Sequence, residues 1–406
     1  MKKLEVRFTR GPGDFWVAGV LAEDRGRIYF EYDPAFVARG LHLSPFRLPL
    51  QTGLFVYHDR DFGPLPGLFD DSLPDGWGLL LMDRYFRQNR INPLEISPLD
   101  RLAWLGTRTM GALTYHPPTV RDNMEESVFC LHELALQSEG VLAGSVSDVL
   151  PELLRAGGSA GGARPKVLVG VREDELRSGE DDLPGGFSHW IVKFGGKDDM
   201  SDAGAVEYAY ALMAGAAGID MPPVRLFETT EGEGFFGVRR FDRAANRRCH
   251  VHTFGNLIEA DFRVPSADYA DLFKATIVLT RNHQDVLRAF RRMVFNVLAH
   301  NRDDHVKNFA FLMDDLTGEW RFAPAYDLMP ARGPGGWHTM TLAGEGKNPR
   351  RSHMLQLAQQ AGISRPDATA TMDAVGAAVG RWREFASQAK LSAKSRQWVE
   401  RLFVEL

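Results

Sequence analysis

Apolar residues change their spacing near residue 267, and that change limits what this chain can fold into. Before it they alternate, as in Leu4, Val6 and Phe8 and again in Ile28, Phe30 and Tyr32, with Gly11-Pro12-Gly13 between them. Alternation bounded by turn residues predicts half-buried strands. Further strands are expected at 166–171, 189–194, 224–228 and 235–241, with one helix over 203–217. Ser201 or Asp202 would cap that helix, and Gly218 with Pro222-Pro223 would stop it. After residue 267 a helical period dominates 267–280, 283–299, 352–361, 369–389 and 393–404. Only a strand pair at 309–312 and 320–322 interrupts it. The expected class is therefore α+β, a strand-rich part followed by a helical one.

Punctuation divides the chain further. Residues 1–116 read as a small αβ unit, with a loop at 67–78 leading into a helix whose Leu79, Met82 and Phe86 share a face. His116-Pro117-Pro118 breaks the pattern, and 117–150 is a connecting segment expected to be helical around 126–137. A β-rich lobe follows over 151–255 and a helical lobe over 256–406. The two cysteines of the 406 residues, Cys130 and Cys249, rule out a disulfide scaffold and suit a reducing, cytoplasmic setting. A net charge of −5 gives no basic field that would advertise direct nucleic-acid binding. Neither a signal peptide nor a membrane span is expected, because no apolar stretch approaches the ~20 residues a span requires.

The chemistry concentrates in His300-Asn301-Arg302-Asp303-Asp304-His305-Val306-Lys307-Asn308, directly after a helix with Leu287, Phe290, Val294 and Leu298 on its core face. A run with Val306 as its only aliphatic member cannot continue that buried stripe and must form a loop. After the strand pair a second carboxylate, Asp327, lies between Ala323-Pro324-Ala325-Tyr326 and Leu328-Met329-Pro330. Phosphoryl transfer uses this kind of set. One carboxylate accepts the proton of a hydroxyl, while an amide oxygen five residues on and a second carboxylate hold Mg²⁺ on the phosphates. Asp303 and Asn308 have that spacing, and Asp327 would be the metal aspartate, its oxygens suiting magnesium. Read as ordinary structure, the same residues would close turns and pair with arginines. His305 is either a structural residue or a phosphate-side contact.

Upstream, 157–166 reads Gly-Gly-Ser-Ala-Gly-Gly-Ala-Arg-Pro-Lys, a loop bare enough for backbone N–H groups to approach phosphates, or else a linker. It is not a P-loop, since Val167 follows Lys166. Lys193 lies in a strand on the face of His189 and Ile191, and Glu207 is a lone acid in an Ala-rich helix, facing either a site or solvent. Arg239, Arg240, Asp242, Arg243, Arg247 and Arg248 read as a charged loop more readily than as a binding patch.

In this order, these elements resemble the HipA family of serine/threonine kinases, the toxins of type II toxin–antitoxin pairs. The motifs that carry the likeness are Asp303-x-His305-x-Lys307-Asn308 and Tyr326-Asp327-Leu328, with 67–78 and 106–113 in the N-terminal part. The resemblance implies a bilobal protein-kinase-like fold with an N-terminal subdomain, and an enzyme using ATP and Mg²⁺. Asp303 would be the catalytic base and Asn308 and Asp327 the metal ligands. Lys193, Gly161, Gly162, Lys166, His305, Lys307 and, by topology, Glu207 would serve the nucleotide. Ser159 matches the loop serine that such kinases autophosphorylate, where a dianionic phosphate would repel those of the nucleotide.

Two positions depart from the family. Arg164 replaces a common glutamine, and Asp304 stands where a small residue usually follows the base. A third carboxylate there is expected to raise the pKa values of the metal-binding pair or tune metal affinity. The implied partners are a protein substrate of translation, such as an aminoacyl-tRNA synthetase, and a small helix-turn-helix antitoxin. Since 1–40 shows no helix-turn-helix, DNA would be reached only through that antitoxin. A silent pseudokinase that binds the antitoxin, and a kinase acting on a small molecule, are the competing expectations.

Overall fold

The computed structural model describes residues 1–57, 61–119, 130–144, 151–158, 161–179, 182–196, 199–228 and 234–404. They form two compact units. The first comprises Met1–Asp199, Gly237–His252 and Met313–Gly318, and the second Met200–Phe236, Thr253–Leu312 and Glu319–Leu406. Among the described residues no helix is long and apolar enough to cross a membrane.

The first unit opens with the alternating segments as an antiparallel sheet. Its strands are β1 (Lys2–Gly11), β2 (Asp14–Asp24), β3 (Arg27–Tyr32), β4 (Leu54–Tyr57) and β5 (Leu113–His116), in the order β4-β3-β2-β1-β5. One face is buried by alternation: Val6 and Phe8 on β1, and Phe30 and Tyr32 on β3. Phe30 packs on Phe69 at 4.9 Å between ring centroids, and Phe8 on Phe36 at 6.0 Å. The helix Gly76–Gln88 buries Trp77, Leu81, Met82 and Phe86, with Leu79 only at the margin of that face. The helix Pro98–Leu105 begins with a capping box between Ser97 and Asp100.

After the helices Leu131–Ala143 and Pro151–Gly157 come β6 (Lys166–Arg172), β7 (Glu175–Ser178) and β8 (Ser188–Lys193). β6 pairs antiparallel with both of the others. The expected helix around 126–137 is thus present from residue 131, while 126–129 lie outside the described residues.

The basic segment near 240 is a correction to the charged loop expected there. Arg240, Asp242, Arg243 and Arg248 are all less than a tenth exposed. Asp242 accepts from Arg240 Nη2 at 2.8 Å, Arg243 Nη1 at 2.6 Å and the backbone N–H of Gly111 at 2.8 Å. Arg243 also donates to the carbonyls of Gly111 and Thr109. Burial alone would raise the Asp242 carboxyl, but the two guanidiniums outweigh it and hold it well below the carboxylate range. Sequence reasoning sees charges and assigns them to solvent. The paired signs two residues apart were the available clue.

In the second unit the expected helix is Ala203–Ala216, and Gly218, at φ +77°, follows its end. Asp202 stands at its N-cap without capping it, because its carboxylate takes Ser392 N–H at 3.1 Å and the Ser395 hydroxyl instead. The helix His283–Leu298 is more central than an amphipathic stripe implies. Every residue from Arg292 to Ala299 is buried, whereas Leu287 is only half-buried. The segment expected as one helix over 369–389 is two, Arg365–Gly380 and Trp382–Gln388, joined at Arg381.

His250 generates a test of the first unit. It is 1% exposed, its Nε2 bonds the Leu43 carbonyl at 2.9 Å, and burial pushes its pKa down from 6.5 to about 4. Between those values the unfolded chain binds the extra proton. Stability should therefore be complete above about pH 6.5 and fall as the pH drops toward 4, by on the order of 3 kcal/mol. Urea unfolding across that window should show the fall, and His250→Gln, which keeps a donor for Leu43, should flatten it.

Candidate active site

The second unit holds both acidic loops. The chain leaves the helix His283–Leu298 through His300, at φ +54°, and Asn301 pairs with Ala331 in an isolated bridge. Asp303 is exposed, whereas the next residue, Asp304, is fully buried. Asp304 accepts from Tyr269 Oη at 2.7 Å, His338 Nδ1 at 2.8 Å and Thr339 N–H at 2.9 Å. The carboxylate expected to tune a metal therefore points into the core and braces the loop. Alternate residues of an extended segment point opposite ways, so anchoring 304 inside presents 303 outside.

Val306–Asn308 form a single 3₁₀ turn. Asn308 Nδ2 donates to the Asp303 carbonyl at 2.6 Å, which leaves its amide oxygen as the atom to meet a cation. Tyr326 Oη donates to the Lys307 carbonyl at 2.6 Å and ties the second acidic loop to the first. Asp327, the next residue, is half-buried and has φ +54°, a left-handed conformation uncommon for a residue with a Cβ. Two further bonds hold its approach: Arg292 Nη2 to the Ala323 carbonyl at 2.7 Å, and Ala325 N–H to the Asp220 carbonyl at 2.8 Å.

Asp303, Asn308 and Asp327 thus belong to one braced pair of loops. Among the described residues no cluster of three or more His, Cys, Asp or Glu is arranged to hold a metal. Two carboxylates and an amide supply hard oxygen donors, a set that fits magnesium shared with phosphates and water better than an all-protein cage.

The histidines have separate surroundings. His305 is half-buried against Phe262, with ring centroids 5.4 Å apart, and Lys307 Nζ lies 4.8 Å from the same ring. Burial and the nearby Arg302 hold His300 down to about 4, so it is neutral at pH 7. Glu207 is 4% exposed within the helix Ala203–Ala216, which sets aside its solvent-facing alternative.

The first unit holds the glycine loop and both lysines. Lys166 and Lys193 are direct partners across β6 and β8, so their side chains leave the same face of the sheet. Lys166 is 6% exposed. A Cβ on Gly162 would strike the Lys166 ammonium, which places that charge against the loop. Asp75 and Trp77 hold the loop from the other side. Asp75 Oδ1 accepts from Gly162 N–H, Trp77 N–H donates to the Gly162 carbonyl at 2.9 Å, and Trp77 Nε1 donates to the Lys166 carbonyl at 3.1 Å. Arg164, the departure from the glutamine, makes an ion pair with Asp199 at 2.8 Å. Ser159 lies outside the described residues.

Sequence reasoning missed Tyr269, His338 and Thr339 on Asp304, Arg292 behind the Asp327 loop, and Asp75 and Trp77 under the glycine loop. Of these only Arg292 left a signal, a cation inside an apolar helical stripe.

With that geometry in hand, comparison with known proteins is decisive. The HipA-like C-terminal domain matches residues 158–382, more than half of the chain, and the HipA N-terminal domain matches 14–116. The chain belongs to the HipA-like family. Two putative kinases of Sinorhizobium fredii, Y4dM and Y4mE, are 26% identical over 153 residues and 32% identical over 128. Those stretches cover 34% and 29% of this chain but only 37% and 30% of the relatives' own lengths.

The HipA chain solved with HipB and its operator DNA from Shewanella oneidensis MR-1 superposes with a TM-score of 0.72 at 16% identity. The superposition covers 98% of this chain and 94% of that one. The expected α+β, bilobal kinase-like fold is the one this HipA-like chain has.

Two substitutions test the site's construction. Asp304→Ala leaves a buried tyrosine, a histidine and a backbone N–H without their acceptor, and should cost about 3 kcal/mol or more in denaturant unfolding. Asp304→Asn should recover part of that. Gly76 has φ +44°, and a Cβ there would lie 2.7 Å from both Gly162 O and Ala163 Cα. Gly76→Ala should therefore release the glycine loop, and limited proteolysis within 157–165 should accelerate at least tenfold.

Proposed function

We propose that this chain is an ATP- and Mg²⁺-dependent serine/threonine protein kinase of the toxin type. The observation that carries this reading is the bond from Tyr326 to the Lys307 carbonyl. It sets Asp327, in its left-handed turn, beside a loop where Asn308 is already bonded to the backbone of Asp303. Asp303 is the exposed carboxylate of the set and is the base. It accepts the proton of the acceptor serine or threonine as that oxygen attacks the γ-phosphorus. The bond to the β–γ bridging oxygen breaks and ADP leaves.

Asn308 Oδ1 and the Asp327 carboxylate would hold magnesium, which when bound neutralises phosphate charge. Lys193 and Lys166, with the N–H groups at Gly161 and Gly162, bind and orient the phosphates. His305 and Lys307 stand on the phosphate side, and Glu207 serves the nucleotide. Ser159 is the autophosphorylation site, where a dianionic phosphate would oppose nucleotide binding.

The Shewanella oneidensis HipA was solved with HipB and operator DNA. By extension we assign this chain a small helix-turn-helix antitoxin as partner, DNA contact through that partner, a cytoplasmic setting and a translation-related protein substrate such as an aminoacyl-tRNA synthetase.

Transfer of labelled phosphate from ATP, compared between the intact chain and two variants, tests the reading. Asp303→Ala should lower kcat at least a thousandfold while nucleotide affinity stays within about threefold. Asp327→Ala should abolish the magnesium dependence of nucleotide binding. Normal transfer by Asp303→Ala would remove the base assignment, and an intact chain with no transfer at all would leave a pseudokinase.

A further inference from the structure

The stretch after Asp327 carries a feature that none of these roles uses. Trp337 is 45% exposed, although His338, Thr339 and Met340 beyond it are buried. An exposed tryptophan in an otherwise anchored segment marks a contact surface, since such rings dominate protein interfaces. The backbone presents the ring deliberately. Gly333, Gly335 and Gly336 have φ values of +66°, +61° and +81°, which residues with a Cβ rarely adopt. A Cβ on Gly346 would come within 2.9 Å of the Trp337 ring, so glycine is also what lets the indole lie down on that turn.

This turn is wired to the loop of the proposed base. Arg302 Nη1 donates to the Gly336 carbonyl, and Arg302 N–H donates to Ala331 O at 3.2 Å. Thr339 Oγ1 donates back to the Arg302 carbonyl at 3.0 Å, and His338 and Thr339 N–H both reach Asp304. The backbone that carries the indole is therefore tied to residues 302–304 by side-chain and backbone bonds.

The charge along this segment is mostly positive, although the Asp268 carboxylate accepts from Thr341 Oγ1 at 2.6 Å and Gly344 N–H at 2.9 Å. Residues 328–352 contain Arg332, Lys347, Arg350 and Arg351 against one carboxylate, Glu345. Arg332, Lys347 and Arg350 are exposed, and Lys347 Nζ lies 5.9 Å from the indole centroid. Arg351 is committed to Asp373 at 3.5 Å. Glu345 is committed to the N–H groups of Lys347 at 2.7 Å and Asn348 at 3.0 Å. On a chain of net charge −5 this is a local excess of positive charge.

We infer that Trp337, with Arg332, Lys347 and Arg350, is the platform that receives the acceptor segment of the substrate protein. That segment carries acidic residues around the serine or threonine and an apolar side chain that lies on the indole. The inference rests on the kinase reading, because it is the bond network to the Asp303 loop that makes the platform an acceptor site. One aromatic ring beside a carboxylate base suits a peptide. A single-stranded nucleic acid would call for several rings in series and would be repelled by Asp303.

The test reads binding and transfer separately. Anisotropy of fluorescein-labelled serine peptides would be measured on the full chain, on Asp303→Ala, on Trp337→Ala and Trp337→Phe, and on the double change Arg332→Glu with Lys347→Glu. One peptide has Asp and Glu around a Ser-Leu pair, and a second has Lys in their place. The acidic peptide should bind at least tenfold tighter than the basic one. Trp337→Ala should weaken it at least tenfold and Trp337→Phe less than threefold, and the charge reversal should invert the preference. KM for ATP should stay within twofold in the Trp337 variants.

Equal binding of both peptides, indifference to Trp337→Ala, or tighter binding of a single-stranded oligonucleotide through Trp337 would overturn the platform. A chain that transfers no phosphate yet binds the acidic peptide through Trp337 would instead overturn the kinase reading on which the acceptor role rests. An active kinase indifferent to Trp337 would remove the platform alone.

Discussion

One buried carboxylate organises the second unit of this protein. Asp304 has no exposure and binds a tyrosine from the helix Tyr269–Thr280, a histidine and a backbone N–H from the segment after Asp327. A charge so placed is tolerable only with all its partners present, because a buried ion left unpaired costs several kcal/mol. The partners come from parts of the sequence 35, 34 and 35 residues away. Satisfying Asp304 therefore settles the paths of both neighbouring segments together, and Asp303 is aimed outward as a result.

The glycine loop follows a comparable logic with weaker means. At Gly161 and Gly162 its own residues supply no side chain that could fix a path, so the path there is imposed by neighbours. The Asp75 carboxylate and the Trp77 N–H take both backbone groups of Gly162, and the Lys166 ammonium covers the remaining side.

Much of the fold could be read from spacing alone. The strands at 166–171 and 189–194 and the helix from 203 are where alternation and a glycine stop put them, because those signals are local. That Asp303, Asn308 and Asp327 stand in loops was legible because a polar run interrupts an apolar helical stripe and prolines bracket the second carboxylate. What could not be read is what depends on the third dimension. Asp304 looked like a companion to Asp303 because sequence proximity does not reveal that one side chain is buried and the other exposed. Arg240, Asp242 and Arg243 looked like a solvated loop because nothing local shows the carbonyls at Thr109 and Gly111 that receive Arg243, or the Gly111 N–H that Asp242 accepts. The helix His283–Leu298 looked one-sided because its polar members, Arg292 and Asn296, are buried polar residues rather than an outer face.

The Asp242 cluster also bears on how such a protein can be taken apart. Arg243 donates to carbonyls at Thr109 and Gly111, and Asp242 takes the N–H of Gly111. Those acceptors and that donor lie within the stretch matched by the HipA N-terminal domain, the charges within the stretch matched by the C-terminal one. Separating the two matched stretches would leave the buried Arg243 guanidinium without the carbonyls of Thr109 and Gly111. The two modules are separate stretches of sequence but share one electrostatic keystone, so recombining halves from different relatives would require carrying both sides of that seam together.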